Sequence, residues 1–168
     1  MRKHILSVIQ AHAAAEYPKE CCGLLLAIGR KQQYFPCRNI ASEPNEEFRL
    51  DPEDYAAAED LGEVIGIVHS HPDATSRPSP HDLAMCEATA LPWHILSWPE
   101  GDLRTITPTG NTPLLKRPFV HGAWDCWQLC ADWYKREWGL EFEAFKREDG
   151  WWESAGNTSL YEANYEAA

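Results

Sequence analysis

The sequence has little positive charge and lacks a long apolar run. Its 168 residues include 15 Lys and Arg against 26 Asp and Glu, a formal net charge of −11 at pH 7. Proteins that bind nucleic-acid phosphates depend on Lys and Arg, so we expect no nucleic-acid partner. A membrane-spanning helix needs about 18 or more apolar residues in a row. Because no stretch approaches that length, we expect no membrane span.

Cysteine is also scarce for a disulfide-stabilised protein. Six cysteines in 168 residues are too few for a disulfide scaffold, and none of them lies in a C-x-x-C pair. The first ten residues turn polar too early for a signal peptide. These features predict reduced thiols and a cytoplasmic protein.

Residues 1–115 alternate between helical and strand patterns. Apolar residues at helical spacing predict a helix from Ile5 to Ala13 that ends before Tyr17-Pro18. Further helices are predicted to begin near Asp51-Pro52 and at Pro80. This alternation is typical of a mixed α/β or α+β domain. The predicted strands cover residues 23–28, 32–37, 64–68, 93–98 and 103–107.

The composition changes near Arg117, since six of the eight tryptophans lie after it. We predict one domain over residues 1–110, a linker over 111–116, and a Trp-rich segment over 117–168 that is too short for a core of its own. An amphipathic helix that ends at Gly139 is predicted in this segment. Its apolar positions are Cys126, Leu129, Cys130, Trp133 and Tyr134.

The most informative motif follows the predicted strand 64–68. His69 and His71 are two residues apart, so an extended backbone places both imidazoles on the same side. Asp82 lies in the first turn of the helix that begins at Pro80. Two imidazoles and one carboxylate supply three protein ligands for a tetrahedral zinc ion. They leave its fourth position to water, as a catalytic zinc site requires.

Each of these residues also has an ordinary structural role. A single histidine at a strand end is usually a hydrogen-bonded polar residue. Asp82 alone is suited to compensate the dipole of a helix N-terminus, and Ser79-Pro80 is suited to cap it. All of these residues occur together directly after one buried strand. That coincidence favours the metal site.

The spacing His69-x-His71-Pro72, followed by Ser79-x-x-Asp82, resembles the signature of the JAB1/MPN/Mov34 (JAMM) zinc metallopeptidases. That family also has a glutamate near the start of its first buried strand, and Glu20 fits this position. The resemblance covers about residues 1–110 and implies a mixed β-sheet flanked by helices. It also implies that His69, His71 and Asp82 bind Zn²⁺. Glu20 would be the general acid/base, and Ser79 would donate a hydrogen bond to the transition state.

The Trp-rich segment is similar to the nucleophile helix of NlpC/P60 cysteine peptidases, which cleave peptidoglycan stem peptides. Cys126 would lie at the helix N-terminus, where the helix dipole favours a thiolate. That family places its catalytic histidine after the cysteine, whereas residues 127–168 contain no histidine. The resemblance therefore implies an incomplete NlpC/P60-like segment. A buried, purely structural role for Cys126 stays open.

The order of the two segments resembles that in phage tail assembly proteins of the lambda K type. The combined resemblance implies zinc-dependent hydrolysis of a peptide or isopeptide bond. The substrate would be a phage tail protein or a peptidoglycan stem peptide, and other tail proteins would be partners. The protein would act in the host cytoplasm or in the virion tail. The alternative function is that of a non-catalytic, zinc-bearing assembly module at a phage tail tip.

Overall fold

The computed structural model describes residues 1–142, which contain five strands and four helices. The chain forms two compact units, the first of residues 1–109 and the second beginning at Gly110. None of the helices in the described part is both long and apolar enough to cross a bilayer. The elements are α1 (Lys3–Glu16), β1 (Cys22–Ile28), β2 (Lys31–Cys37), α2 (Pro52–Leu61), β3 (Glu63–Pro72), α3 (Pro80–Thr89), β4 (Trp93–Trp98), β5 (Leu103–Ile106) and α4 (Cys126–Trp138).

One mixed five-stranded sheet organises the first unit, with strand order β2-β1-β3-β4-β5. Strand β1 is antiparallel to both β2 and β3, β3 is parallel to β4, and β4 is antiparallel to β5. The central strand β3 is therefore paired along both edges. This position suits its apolar, β-branched sequence. The mixed α/β fold class predicted from the sequence is confirmed.

Two apolar clusters alternate along β1 and β3, one on each face of the sheet. Helix α1 packs on one face together with Leu25 of β1 and Val68 of β3. Helices α2 and α3 contribute Ala58 and Cys86 to the other cluster. Because helices cover both faces, β1 is apolar at nearly every position. Residues of α1 that face the sheet are Ile5, Ile9 and Ala13.

Strand β3 is longer than the sequence pattern predicts. The apolar run ends at Val68, but the strand continues to Pro72. Its last residues stay in the sheet because they pair with β4, His69 opposite Ile95 and His71 opposite Ser97. The prediction that the strand ends at Val68 is therefore wrong. Both histidines of the motif lie within β3, on the extended backbone that their spacing predicts.

Helix α4 belongs to the second unit, and the predicted helix in this segment is confirmed. Asp125 caps its N-terminus, where one carboxylate oxygen accepts a hydrogen bond from the Gln128 N–H at 2.8 Å and the other accepts one from the Gly122 N–H at 2.9 Å. The helix ends at Gly139, whose φ of 68° is the left-handed conformation that favours glycine. Residues 143–168 of the predicted NlpC/P60-like segment lie outside the described residues.

Candidate metal centre

The strand register brings Glu20 to the histidine motif. In the antiparallel pair of β1 and β3, Cys22 lies opposite His69. The same register, continued by two residues, places Glu20 opposite His71. Residues directly opposite each other in an antiparallel pair direct their side chains to the same face. Glu20 and both imidazoles therefore lie on the α2/α3 face of the sheet.

Ser70, between the two histidines, holds this register. Its side chain points to the opposite face, where its hydroxyl accepts a hydrogen bond from the Cys21 N–H at 2.9 Å. Its own N–H donates to the Cys21 carbonyl at 3.0 Å. Both residues are almost fully buried. These two hydrogen bonds hold Cys21, the residue directly after Glu20, against strand β3, which carries the histidines.

Asp82 reaches the site from the first turn of α3. It forms a capping box with Ser79, in which the Asp82 carboxylate accepts a hydrogen bond from the Ser79 N–H at 2.7 Å. The Ser79 hydroxyl in turn accepts one from the Asp82 N–H at 3.1 Å. Pro80 occupies the first turn, where its missing N–H has no partner to lose. The cap fixes the direction of the Asp82 carboxylate as well as the start of the helix.

Three side-chain donor atoms converge at one point. The Nε2 atoms of His69 and His71 are 3.1 Å apart. Asp82 Oδ1 is 3.1 Å from Nε2 of His69, and Asp82 Oδ2 is 3.5 Å from Nε2 of His71. Asp82 and His69 are buried, and His71 is half-buried. The structure therefore brings together the three residues that the sequence predicts as metal ligands.

The two imidazoles are held in different ways. Nδ1 of His71 lies 2.9 Å from the Thr75 carbonyl, which can only accept, so this nitrogen carries a proton and Nε2 is the atom that faces Asp82. The ring of His69 stacks on Phe48 at 4.5 Å and meets the edge of Trp93 at 5.5 Å. Its Nδ1 is buried, without a hydrogen-bond partner in the described part of the chain. Aromatic packing takes the place of a polar contact at His69.

The loop that carries Thr75 is itself anchored. The Asp73 N–H donates a hydrogen bond to the Trp98 carbonyl at 2.7 Å. The Asp73 carboxylate accepts one from the Tyr17 hydroxyl at 2.9 Å. Further along, the buried Ser76 hydroxyl donates to the Asp102 carboxylate. These contacts hold the carbonyl that orients His71.

The electrostatics suit a cation. Burial alone would raise the pKa of Asp82, but its hydrogen bonds with His69 and His71 outweigh burial and hold that pKa below its usual range. Burial lowers the pKa of His69, which favours the neutral imidazole. Burial acts the same way on His71, but hydrogen bonds with Asp82 and Thr75 outweigh it and raise the pKa. Protons would therefore compete with a metal ion for His71.

Glu20 is a buried carboxyl group beside this donor set. Burial raises its pKa to about 8, nearby His71 opposes this rise, and the Asp82 carboxylate adds to it. Both backbone polar groups of Glu20 bond to residues after β2. Its N–H donates to the Pro44 carbonyl at 2.7 Å, and its carbonyl accepts from Nδ2 of Asn39 at 3.0 Å. A carboxyl with a pKa near neutrality, in a fixed position, is suited to accept and release a proton.

A cleft of about 430 Å³ opens in front of these groups. Ser79 lines it, and within residues 1–142 its hydroxyl accepts a hydrogen bond from the Asp82 N–H but donates none, so its proton is available to a molecule in the cleft. His81 lies exposed at the rim and is outside the converging donor set. The lining residues are Glu20, Asn45, Glu46, Glu47, Phe48, His71, Pro72, Ala74, Ser79, His81 and Asp82.

Cys126 belongs to the second unit and is the first residue of α4. Its side chain is exposed, so the buried structural role that the sequence left open is not what the structure has.

Sequence reasoning missed Phe48, Thr75 and Asn39. None of the three carries a local motif, although a polar residue just after β2 could have drawn attention to Asn39.

Comparison with known proteins gives a consistent family match. Residues 2–108 match the family described as prokaryotic homologs of the JAB domain. The chain is 55% identical over 162 residues to tail tip assembly protein K of Escherichia phage N15, which covers 96% of this chain and 67% of that protein. It is 36% identical over 118 residues to tail tip assembly protein K of Escherichia phage lambda, with coverage of 70% and 56%.

Two further relatives lie outside the phage proteins. A desampylase of Haloferax volcanii is 31% identical over 118 residues, covering 66% of this chain and 84% of that protein. The solution structure of protein DSY2949 from Desulfitobacterium hafniense has a TM-score of 0.50 at 29% identity, covering 62% of this chain and 77% of that one. The chain thus spans 67% and 56% of the lengths of its two phage relatives. The family match ends before the segment predicted to resemble NlpC/P60 peptidases.

Proposed function

Because the chain belongs to the prokaryotic JAB family, we propose that it hydrolyses a peptide or isopeptide bond with the help of a zinc ion. His69, His71 and Asp82 would hold the ion. The observation that carries this proposal is the convergence of their three donor atoms, all within 4.8 Å of one another. Two imidazole nitrogens and a carboxylate oxygen are a ligand set that catalytic zinc uses. When bound, zinc supplies a Lewis acid for a carbonyl and makes a water molecule acidic near pH 7.

Glu20 has the position and the proton affinity of the general acid/base. Its carboxyl group lines the cleft beside His71 and Asp82. In the proposed reaction it accepts the proton of the attacking water and then delivers it to the leaving amine. Burial raises the pKa of this carboxyl in the metal-free chain, so it holds a proton more readily near neutral pH, as delivery to the amine requires.

Ser79 supports the reaction through its hydroxyl proton. The hydroxyl oxygen already accepts a hydrogen bond from the Asp82 N–H, which fixes its place at the cleft wall. Its proton is then directed toward the carbonyl oxygen of the substrate, where negative charge develops. The helix cap and the catalytic hydrogen bond are two uses of one side chain.

The phage relatives support a place in tail assembly. We propose that the partners are phage tail proteins and that the protein acts in the host cytoplasm or in the virion tail. The substrate would be a tail protein or a peptidoglycan stem peptide.

We also propose that residues 117–168 begin an NlpC/P60-like domain, with Cys126 in the position of its nucleophile. The exposed thiol at the N-terminus of α4 supports that assignment.

A second candidate function is a non-catalytic assembly module, which the names of the two phage relatives favour. The relationship to an enzyme, the desampylase, favours catalysis instead. The two functions differ in their dependence on Glu20. An assembly module keeps its function without the Glu20 carboxylate, whereas an enzyme loses turnover and keeps its metal.

The deciding experiment compares the zinc-loaded wild type with Glu20→Gln on two substrates. One is a branched peptide joined through a lysine ε-amine, and the other is a cross-linked muropeptide dimer. Mass spectrometry follows cleavage, and complementation of a phage that lacks the gene follows tail assembly. Cleavage by the wild type alone supports the enzyme. No cleavage of either substrate, together with full complementation by Glu20→Gln, would establish the assembly module.

A further inference from the structure

Asn39 lies just after β2, at the start of the loop of residues 38–50. Every hydrogen-bonding group of its side chain has a partner. Its Oδ1 accepts hydrogen bonds from two backbone N–H groups, and its Nδ2 donates toward three backbone carbonyls. Since an amide has only two N–H bonds, one of them is shared. The Oδ1 donors are Ala41 and Arg49, both at 3.0 Å, and the carbonyls belong to Glu20 at 3.0 Å, Glu47 at 3.0 Å and Pro44 at 3.4 Å.

This side chain joins the loop to the residue proposed as general base. Glu20 precedes β1, so its backbone groups have no place in the sheet ladder. The loop takes both of them, the N–H through Pro44 and the carbonyl through Asn39. On the other side, Cys21 is bonded to Ser70 of β3. Glu20 is therefore held between the loop and the histidine strand.

The same loop forms a wall of the cleft. Glu47, whose carbonyl bonds to Asn39, lines the cleft, and so does its neighbour Phe48, which stacks on His69. The Asn39 amide thus fixes the backbone of Glu20 relative to the Phe48 ring, which supports the proposed metal-binding imidazole of His69. Among the described residues, the loop makes no hydrogen bond to Glu20 other than those of Asn39 and of the Pro44 carbonyl, which Asn39 itself contacts.

We propose that Asn39 is a positioning residue for hydrolysis. It holds the Glu20 carboxyl at the distance from the metal donors at which proton transfer occurs. This inference rests on the proposed function, because it assigns Asn39 a role through the general base. Only an amide side chain supplies both the acceptor and the donor that this position needs. Its oxygen accepts hydrogen bonds from the loop backbone and closes the loop on itself. Its N–H groups join the loop to Glu20.

The substitution Asn39→Asp separates these two halves. A carboxylate at this position still accepts hydrogen bonds from the N–H groups of Ala41 and Arg49. Its second oxygen, however, faces three carbonyl oxygens and cannot donate to them, so the hydrogen bond to the Glu20 carbonyl is lost. Gln33→Glu, at an exposed position of β2, is the matched control, since it makes the same change from amide to carboxylate away from the cleft. We expect Asn39→Asp to retain zinc. We expect kcat to fall at least about 10-fold with KM within about twofold, and the control to match the wild type.

A second measurement uses the unaltered protein and does not depend on activity. In a ¹⁵N,¹³C-labelled wild type, a scalar coupling across the hydrogen bond from Nδ2 of Asn39 to the Glu20 carbonyl carbon reports the contact directly. Amide hydrogen exchange then compares protection of the Glu20 N–H in wild type, Asn39→Asp and Gln33→Glu. Loss of protection at Glu20 in Asn39→Asp alone supports the proposal.

The outcomes separate this proposal from the proposed function. An absent coupling, or unchanged Glu20 protection in Asn39→Asp, overturns the role of Asn39 whatever the activity. Equal loss of kcat and zinc in Asn39→Asp also overturns it, because the residue would then act on the metal site. If the wild type cleaves no substrate while the coupling and the protection change are observed, the hydrolase assignment fails. In that case the contact of Asn39 with Glu20 is established and its role in hydrolysis is overturned.

Discussion

The Nε2 atoms of His69 and His71 lie 3.1 Å apart and both face the Asp82 carboxylate. In the metal-free chain the Asp82 carboxylate forms hydrogen bonds with both imidazoles. Because a carboxylate only accepts, an imidazole nitrogen that makes such a bond carries a proton. A divalent ion bound by the same three atoms would displace these protons. Metal binding should therefore release protons and weaken at acidic pH.

The first prediction concerns metal content. His69→Ala and Asp82→Ala should each bind zinc about 100-fold more weakly or worse, because even the loss of a residue that supports a ligand weakens metal binding by about 10–100-fold. Elemental analysis after dialysis should find about one zinc per chain in the wild type and little in the variants. His81→Ala is the control, since His81 is next to Asp82 in sequence but outside the donor set. Equal zinc in all four proteins would refute the site.

The second prediction concerns Glu20. Replacing its carboxyl with an amide removes the proton acceptor, so Glu20→Gln should hydrolyse substrate about 10²–10⁴-fold more slowly while retaining zinc. Glu59→Gln, an exposed position of α2, is the control and should keep full activity. Steady-state kinetics and zinc analysis on the same preparations check this. A Glu20→Gln enzyme with wild-type turnover would exclude Glu20 as the general base.

The third prediction is a pH dependence of stability in the metal-free protein. The pKa of Glu20 is raised to about 8 in the folded chain from 4.5, so folding favours its protonated form. Its contribution to the free energy of unfolding is fully present below pH 4.5 and is lost as the pH rises toward 8. The melting temperature of the wild type should therefore fall relative to Glu20→Gln over this range. Parallel melting curves at every pH would contradict the shifted pKa.

The fourth prediction tests the aromatic support of His69. Phe48→Ala removes the ring that stacks on His69, so zinc affinity should fall about 10-fold. Because Phe48 is half-buried, the free energy of unfolding should fall by about 2 kcal/mol, less than for a fully buried ring. Phe35→Ala is the control, since Phe35 is also half-buried against the same apolar cluster. It should lose similar stability with unchanged zinc affinity, and calorimetry of zinc binding decides between the two.

The fifth prediction concerns thiol reactivity. Cys126 and Cys130 are exposed, whereas the other four cysteines are buried, so iodoacetamide should modify two thiols rapidly in the folded protein. The remaining thiols should react only after denaturation. Mass spectrometry of tryptic peptides assigns the modified positions. Fast labelling of Cys21 or Cys22, which lie at the start of β1 beside Glu20, would show that this part of the sheet opens.

The sequence predicts the helices and strands of the first unit because their signals are local. Apolar periodicity, the Tyr17-Pro18 stop and the caps at Asp51 and Ser79 all lie within a few residues of the element they define. The ligand set is predictable for the same reason. Strand alternation fixes the two histidines, and the capping box fixes Asp82 relative to Ser79.

The features that could not be predicted depend on contacts between distant segments. Strand β3 extends beyond Val68 because β4 on one edge and the start of β1 on the other pair with its polar end. Phe48 and Asn39 lie in the loop of residues 38–50, which has no hydrophobic period, so its path over the site cannot be inferred from the sequence. The predicted domain limits, 1–110 and 117–168, and the NlpC/P60-like segment stay predictions.

The extension of β3 also restricts how the chain length can vary. Both imidazoles sit in a pleated segment that β4 pairs with, and the side-chain direction reverses at every residue. Inserting or deleting one residue between them would send one ring to the side of the sheet that α1 covers, and the two imidazoles would no longer converge with Asp82. Residues 73–78 leave the sheet, but they include Thr75, whose carbonyl orients His71. Libraries that diversify this domain should therefore keep the spacing of the two histidines and the length of this loop intact.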